Sequence, residues 1–214
     1  MNLGFALYYR VALCPDPGLE ARLLTHLRDE RWGLNRRRDD RWTASFYPRL
    51  KKQFARVSLN LGAEAMEWNG PYPYMAYGWV EEGGDEWVVW VRELAALLSP
   101  VCGIVCAWPT RDQVVSDASL VKIDDGLPEP FAAQCEVAFR LRRLIGEKAR
   151  HPRWGTFLHT SLVERIGGLE RCKPLASLVE QEGELVYIQL TASPSDDYEE
   201  RRRALEALMS PILL

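Results

Sequence analysis

The sequence predicts an α+β fold built on an antiparallel sheet. Two observations predict it: segments of strand period alternate with segments of helical period, and their order over residues 1–115 is β-α-β-β-α-β. Residues 3–11 mix aromatic and β-branched side chains over a strand length before Cys14-Pro15-Asp16-Pro17-Gly18 interrupts them. Leu19, Leu23, Leu24 and Leu27 then recur every three to four positions among charges, the pattern of an amphipathic helix over 17–28 whose apolar face covers a sheet. Residues 55–61 alternate Val57, Leu59 and Leu61 with Arg56, Ser58 and Asn60, the period of a half-buried strand. The aromatic-rich run 74–81, between Pro71 and Pro73 and Gly83-Gly84, is its hairpin partner. Asp85-Glu86 opens a second helix through Val88, Val91, Leu94, Ala95 and Leu98, with the acids well placed at its N-terminus, and Ser99-Pro100 stops it. The apolar run 101–107 reads as a buried strand closed by Trp108-Pro109. This order is the split βαβ, or ferredoxin-like, arrangement: a four-stranded antiparallel sheet with helices on one face.

A loop rich in Asp, Gly and Pro over 116–130 leads into a smaller α/β region, 131–214, which either extends the first sheet or packs against it as a separate unit. Its elements are a helix over 131–144 through Phe131, Cys135, Ala138, Phe139 and Arg142, a strand over 154–158, and a short helix over 160–166 stopped by Gly167-Gly168. A strand over 185–191 follows, then a final helix from Asp196-Asp197 in which acids come first and arginines later, as the helix dipole favours.

With 214 residues and 47% hydrophobic content the chain can bury a sizeable core. No run approaches the roughly 18 apolar residues that a spanning helix needs, and Met1-Asn2-Leu3-Gly4-Phe5 lacks the basic start of a signal peptide. Five cysteines, an odd number in apolar surroundings, suit free thiols in a reducing compartment, so the expected location is the cytoplasm. The net charge of −3 does not predict a polyanionic partner, although residues 28–56 hold ten Lys/Arg against four acids.

No pattern predicts catalysis, a metal or a cofactor. Cys102 and Cys106 have the closest approach to metal-ligand spacing, but on a strand they stand about 13 Å apart, too far to share an ion. His159-Thr160-Ser161 is the nearest nucleophile-and-base grouping, and the ordinary account is that Thr160 or Ser161 caps the following helix with Glu164 completing a capping box. Two features point to nucleic acid as an alternative function. Trp32 and Trp42 bracket Arg36-Arg37-Arg38, and residues 75–82 resemble the middle of the RNA-recognition strand motif, with Met75 and Glu82 where that motif has a base and an aromatic. Asp39-Asp40 and the acids after Trp79 work against an anionic strand.

The function predicted instead is binding to a protein. Eight Trp exceed ordinary usage, and the loop Trp68-Asn69-Gly70-Pro71-Tyr72-Pro73-Tyr74 is aromatic beside the acidic turn of Glu81, Glu82, Asp85 and Glu86. Trp68, Tyr72, Tyr74, Glu81, Glu82, Asp85 and Glu86 are therefore the candidate partner-binding residues, suited to a basic partner such as a nuclease domain.

Residues Trp154-Gly155-Thr156-Phe157-Leu158 followed by Leu162-Val163-Glu164-Arg165-Ile166-Gly167-Gly168, with the late strand of 185–194, resemble the bacterial type VI secretion and polymorphic-toxin immunity proteins. The resemblance covers about the last third of the chain, and the earlier part matches in kind. It implies a cytoplasmic antidote that binds a cognate toxin, often a nuclease, and neutralises it by stoichiometric occlusion without turnover. It carries over no contact residue. Gly155 is read as permitting close packing and Gly167 as ending a helix.

Overall fold

The computed structural model describes residues 2–9, 22, 25, 43–46, 55–60, 74–81, 85–109, 113, 144 and 147–214. The strands are β1 (Asn2–Tyr9), β2 (Thr43–Phe46), β3 (Ala55–Asn60), β4 (Tyr74–Glu81), β5 (Cys102–Trp108), β6 (Gly155–His159), β7 (Leu178–Glu182) and β8 (Leu185–Gln189). The described helices longer than one turn of 3-10 type are α1 (Asp85–Leu98), α2 (Thr160–Arg165) and α3 (Glu199–Met209). All eight strands form one sheet in the order β2-β3-β4-β1-β5-β6-β8-β7, with every neighbouring pair antiparallel.

The inner order β3-β4-β1-β5 is the ferredoxin-like arrangement that the sequence predicts. The sheet does not stop there. Pairing of Cys102 with Leu158 and of Val105 with Gly155 joins β6 to β5, so the C-terminal strands extend the same sheet. Two strands escaped the periodicity. β2 lies within the basic connection, and β7 pairs with β8 across a turn at Gly183-Glu184. β2, Thr43-Ala44-Ser45-Phe46, alternates over only four residues, too short a run to mark a strand, and β7, Leu178-Val179-Glu180-Gln181-Glu182, has no apolar alternation at all.

Side chains alternate between two cores. Leu3, Phe5 and Leu7 of β1 meet Trp87, Trp90, Val91 and Leu94 of α1 on one face, while Ala6, Tyr8, Ile104 and Cys106 meet Leu162 and Val163 of α2 and Leu205 and Met209 of α3 on the other. The C-terminal helices thus cover the face opposite α1, a placement on which the sequence is silent. The physical reason is visible in β5, whose consecutive apolar residues leave neither face polar enough for water.

α1 begins at the acids Asp85 and Glu86, as expected, and buries an apolar stripe that includes two tryptophans stacked with centroids 5.0 Å apart. α2 ends in a complete Schellman motif. Gly168 N–H donates to the Val163 carbonyl at 2.9 Å and Gly167 N–H to that of Glu164 at 3.0 Å, with Gly167 at φ 94°. The cap at its start differs from expectation. His159 is the N-cap, and its Nδ1 accepts from Ser161 N–H at 3.2 Å, so neither Thr160 nor Ser161 supplies the capping oxygen. α3 starts at Glu199, three residues later than Asp196, because Asp196 accepts from Ser193 N–H in a turn and Asp197 accepts from Glu199 N–H. Of the helix read over 17–28, Arg22 and Thr25 are described and helical, and of that over 131–144 only Leu144 is, also helical. The loop over 116–130 lies outside the described residues.

Candidate protein-binding surface

Of the residues proposed for partner binding, Trp68, Tyr72 and Glu82 lie outside the described residues. The backbones of Tyr74 and Glu81 open and close β4, paired with Tyr9 and Asn2. Asp85 and Glu86 are exposed on the first turn of α1. The other tryptophans settle their own roles: Trp79, Trp87, Trp90, Trp108 and Trp154 are all buried, so most of the Trp excess fills the two cores. Trp154 also donates its indole N–H to the Thr191 carbonyl at 3.1 Å. Burial of Trp79 at 4% exposure bears on the nucleic-acid alternative, since a ring that stacks bases must stand open on the sheet face. The Arg36-Arg37-Arg38 run, with Trp32 and Trp42, falls outside the described residues.

The structure builds a second surface that the sequence did not single out. Between α1 and the β7–β8 hairpin lies a cavity of about 340 Å³, lined by Arg92, Phe157, Glu180, Glu182, Leu185 and Tyr187. Its floor is aromatic, because Phe157 and Tyr187 face each other across β6 and β8 with ring centroids 4.8 Å apart. Gly155 lets this floor form: a Cβ there would stand 2.8 Å from the Tyr187 hydroxyl and 3.0 Å from Val105 Cβ, which gives the predicted close packing its contacts. Arg92 reaches over from α1, pairs with Glu180 and holds its guanidinium 5.1 Å above the Tyr187 ring. Burial raises the Tyr187 phenol well above its ordinary value, with the Arg92 charge opposing the shift. Glu182 has no partner among the described residues. The signal that could have found this site is the acidic alternation Glu180, Glu182, Glu184, which a reading by apolar period passes over.

Two other polar clusters lie at the start of α2 and along α3. His159 Nδ1 lies 2.8 Å from Ser161 Oγ and Nε2 lies 3.3 Å from Glu184 Oε2. Its Nδ1 accepts the backbone N–H of Ser161 and so caps α2. On α3, Arg202 bridges Glu199 and Glu206, and Glu206 also meets His151 Nδ1 at 2.6 Å. Hydrogen bonding from Arg202 holds Glu199 down at about 2. Cys102, Cys106 and Cys172 are buried free thiols, and burial pushes Cys102 up to about 11. Cys14 and Cys135 lie outside the described residues. Among the described residues no His, Cys, Asp and Glu gather in a metal-holding group, and no helix is long and apolar enough to cross a membrane.

The fold is shared with the Pseudomonas aeruginosa T6SS protein PA0821. The solved structure of that protein superposes with a TM-score of 0.57 over 99% of this chain and 73% of its own, at 13% sequence identity. The likeness therefore spans both halves of the extended sheet. No family model and no curated protein matches the chain.

Proposed function

We propose that this chain is an immunity protein that binds a cognate secreted bacterial toxin and neutralises it by stoichiometric occlusion, without turnover. The observation that carries the reading is the fold held in common, over nearly the whole chain, with a T6SS protein. Resemblance of residues 154–158, 162–168 and 185–194 to toxin-immunity proteins supports the same reading from the sequence side. The exposed acids Asp85 and Glu86, with Glu81, Glu82 and the aromatic residues Trp68, Tyr72 and Tyr74 beside them in sequence, suit a basic toxin such as a nuclease, which they would steer and anchor. Such a complex forms in the cytoplasm of the producing cell.

The test is co-expression with the product of the neighbouring gene, which the proposal takes to be the toxin. Toxin alone should kill, the pair should survive, and the two proteins should elute together at a fixed ratio. Survival of cells that carry the neighbouring gene alone, with no complex on purification, overturns the proposal. Reversing Asp85 and Glu86 to lysine should slow association and weaken its salt dependence while dissociation changes little, as expected of rim charges.

A further inference from the structure

Among the described residues strand β7 ends the sheet, and its Glu180, Gln181 and Glu182 are exposed beside the cavity under α1. We infer that this edge takes one extended, basic segment of a protein partner, added as a further strand along β7 with a lysine or arginine side chain entering the cavity. This rests on the reading that the chain binds a protein.

The backbone argument comes from the turn. Gly183, at φ 58°, and Glu184 make a two-residue connection, so Glu182 and Leu185 are the closing hydrogen-bonded pair. Alternation along an antiparallel ladder then directs the N–H and C=O groups of Gln181 and Val179 away from β8, toward an added strand. The side-chain argument comes from the lining. The Tyr187 ring already carries one guanidinium, that of Arg92, whose charge is matched by Glu180. Among the described lining residues Glu182 is the remaining carboxylate, so the cavity complements a second cation.

Charge also excludes the other occupants. A second copy pairing antiparallel about Gln181 would set Glu180 of one copy opposite Glu182 of the other, and like charges directly opposed destabilise a strand pair. An acidic strand meets the same repulsion. The residues that protect this edge from self-association are thus those that select a basic segment.

The test titrates the full isotope-labelled chain with a blocked peptide of about six residues alternating arginine and valine, long enough for one strand. Controls are the glutamate-valine counterpart and the basic peptide N-methylated at alternate backbone nitrogens. Saturable shifts confined to residues 178–182, the turn of α1 around Arg92 and the cavity floor of Phe157, Leu185 and Tyr187 are expected for the basic peptide, with the two controls failing to bind. Glu182→Lys and Gln181→Pro, which removes an outward N–H, should each weaken binding by at least about tenfold. Circular dichroism checks both variants, and if Gln181→Pro does not fold, Glu182→Lys and the N-methylated peptide decide the matter. Absence of saturable shifts at millimolar peptide, or equal binding of the acidic peptide or to Glu182→Lys, overturns the inference. Neutralisation of the toxin with no peptide binding removes the edge site alone, whereas peptide binding at the edge without neutralisation removes the immunity reading and leaves the edge site standing.

Discussion

Replacing Gly103 by alanine should loosen the junction at which the C-terminal strands join the ferredoxin-like sheet. Gly103 lies on β5 between Leu7 of β1 and Phe157 of β6, and both neighbours lean over it. A Cβ at this position would stand 2.6 Å from Leu7 Cδ2, 2.9 Å from the Ala6 carbonyl oxygen and 3.3 Å from Phe157 Cδ2. Leu7 at 0% and Phe157 at 1% exposure have no solvent to swing into, and the Ala6 oxygen belongs to the backbone of the adjacent strand. Overpacking of this kind costs about 1–3 kcal/mol, against which alanine restricts the unfolded chain and returns about 0.4–1 kcal/mol. A net loss of roughly 1–2 kcal/mol corresponds, for a chain of this size, to a fall in Tm of about 2–8 °C. Urea unfolding followed by tryptophan fluorescence should show a lower midpoint with an unchanged slope. An unchanged or higher midpoint would refute the steric reasoning, because it would mean that β1 and β6 can separate at Gly103 without loss.

Three further outcomes follow from the same contacts. In a double-mutant cycle of Arg92→Ala and Glu180→Ala, the coupling should stay below about 1 kcal/mol, as both groups are partly exposed, while Arg92→Ala alone costs more than Glu180→Ala because it also strips the cation from Tyr187. Thermal denaturation of the four proteins checks this, and equal single effects would count against the ring contact. Cys102 titrates in the folded chain at about 11 against 9.0 for an ordinary thiol, so its contribution to stability is full below pH 9 and is lost as pH rises through 11. Cys102→Ala should flatten that alkaline fall, and native-state alkylation at pH 8 should spare Cys102 while labelling it after unfolding. Glu199 is held at about 2, so its contribution is present above the ordinary 4.5 and is lost as pH falls through 2. Carboxyl NMR should find it ionised at pH 3, and Glu199→Gln should reduce the loss of stability over that acid range.

Much of the fold was legible in the sequence. The leucines and valines of α1, the alternation of Val57 and Leu59 in β3, and Gly167-Gly168 after α2 each state a local preference that tertiary contacts did not override. Boundaries slipped where a side chain chose between equivalent local partners, as when His159 capped α2 in place of Thr160 or Ser161. The candidate binding surface was less legible. Asp85 and Glu86 stand exposed as their composition suggested, but aromatic content alone does not separate an anchor from a core ring, and Trp79, Trp87, Trp90, Trp108 and Trp154 went to the core.

What the sequence determined by itself was the strands of clear period, helix α1 and the ferredoxin-like order of the strands, because those depend on spacing along the chain. Tertiary structure alone decided that β6, β8 and β7 extend the sheet from β5, that α2 and α3 cover the face opposite α1, and that Arg92 meets Glu180 across 88 positions of sequence. Those choices depend on which apolar faces and which opposite charges find one another in space, and no local period encodes that.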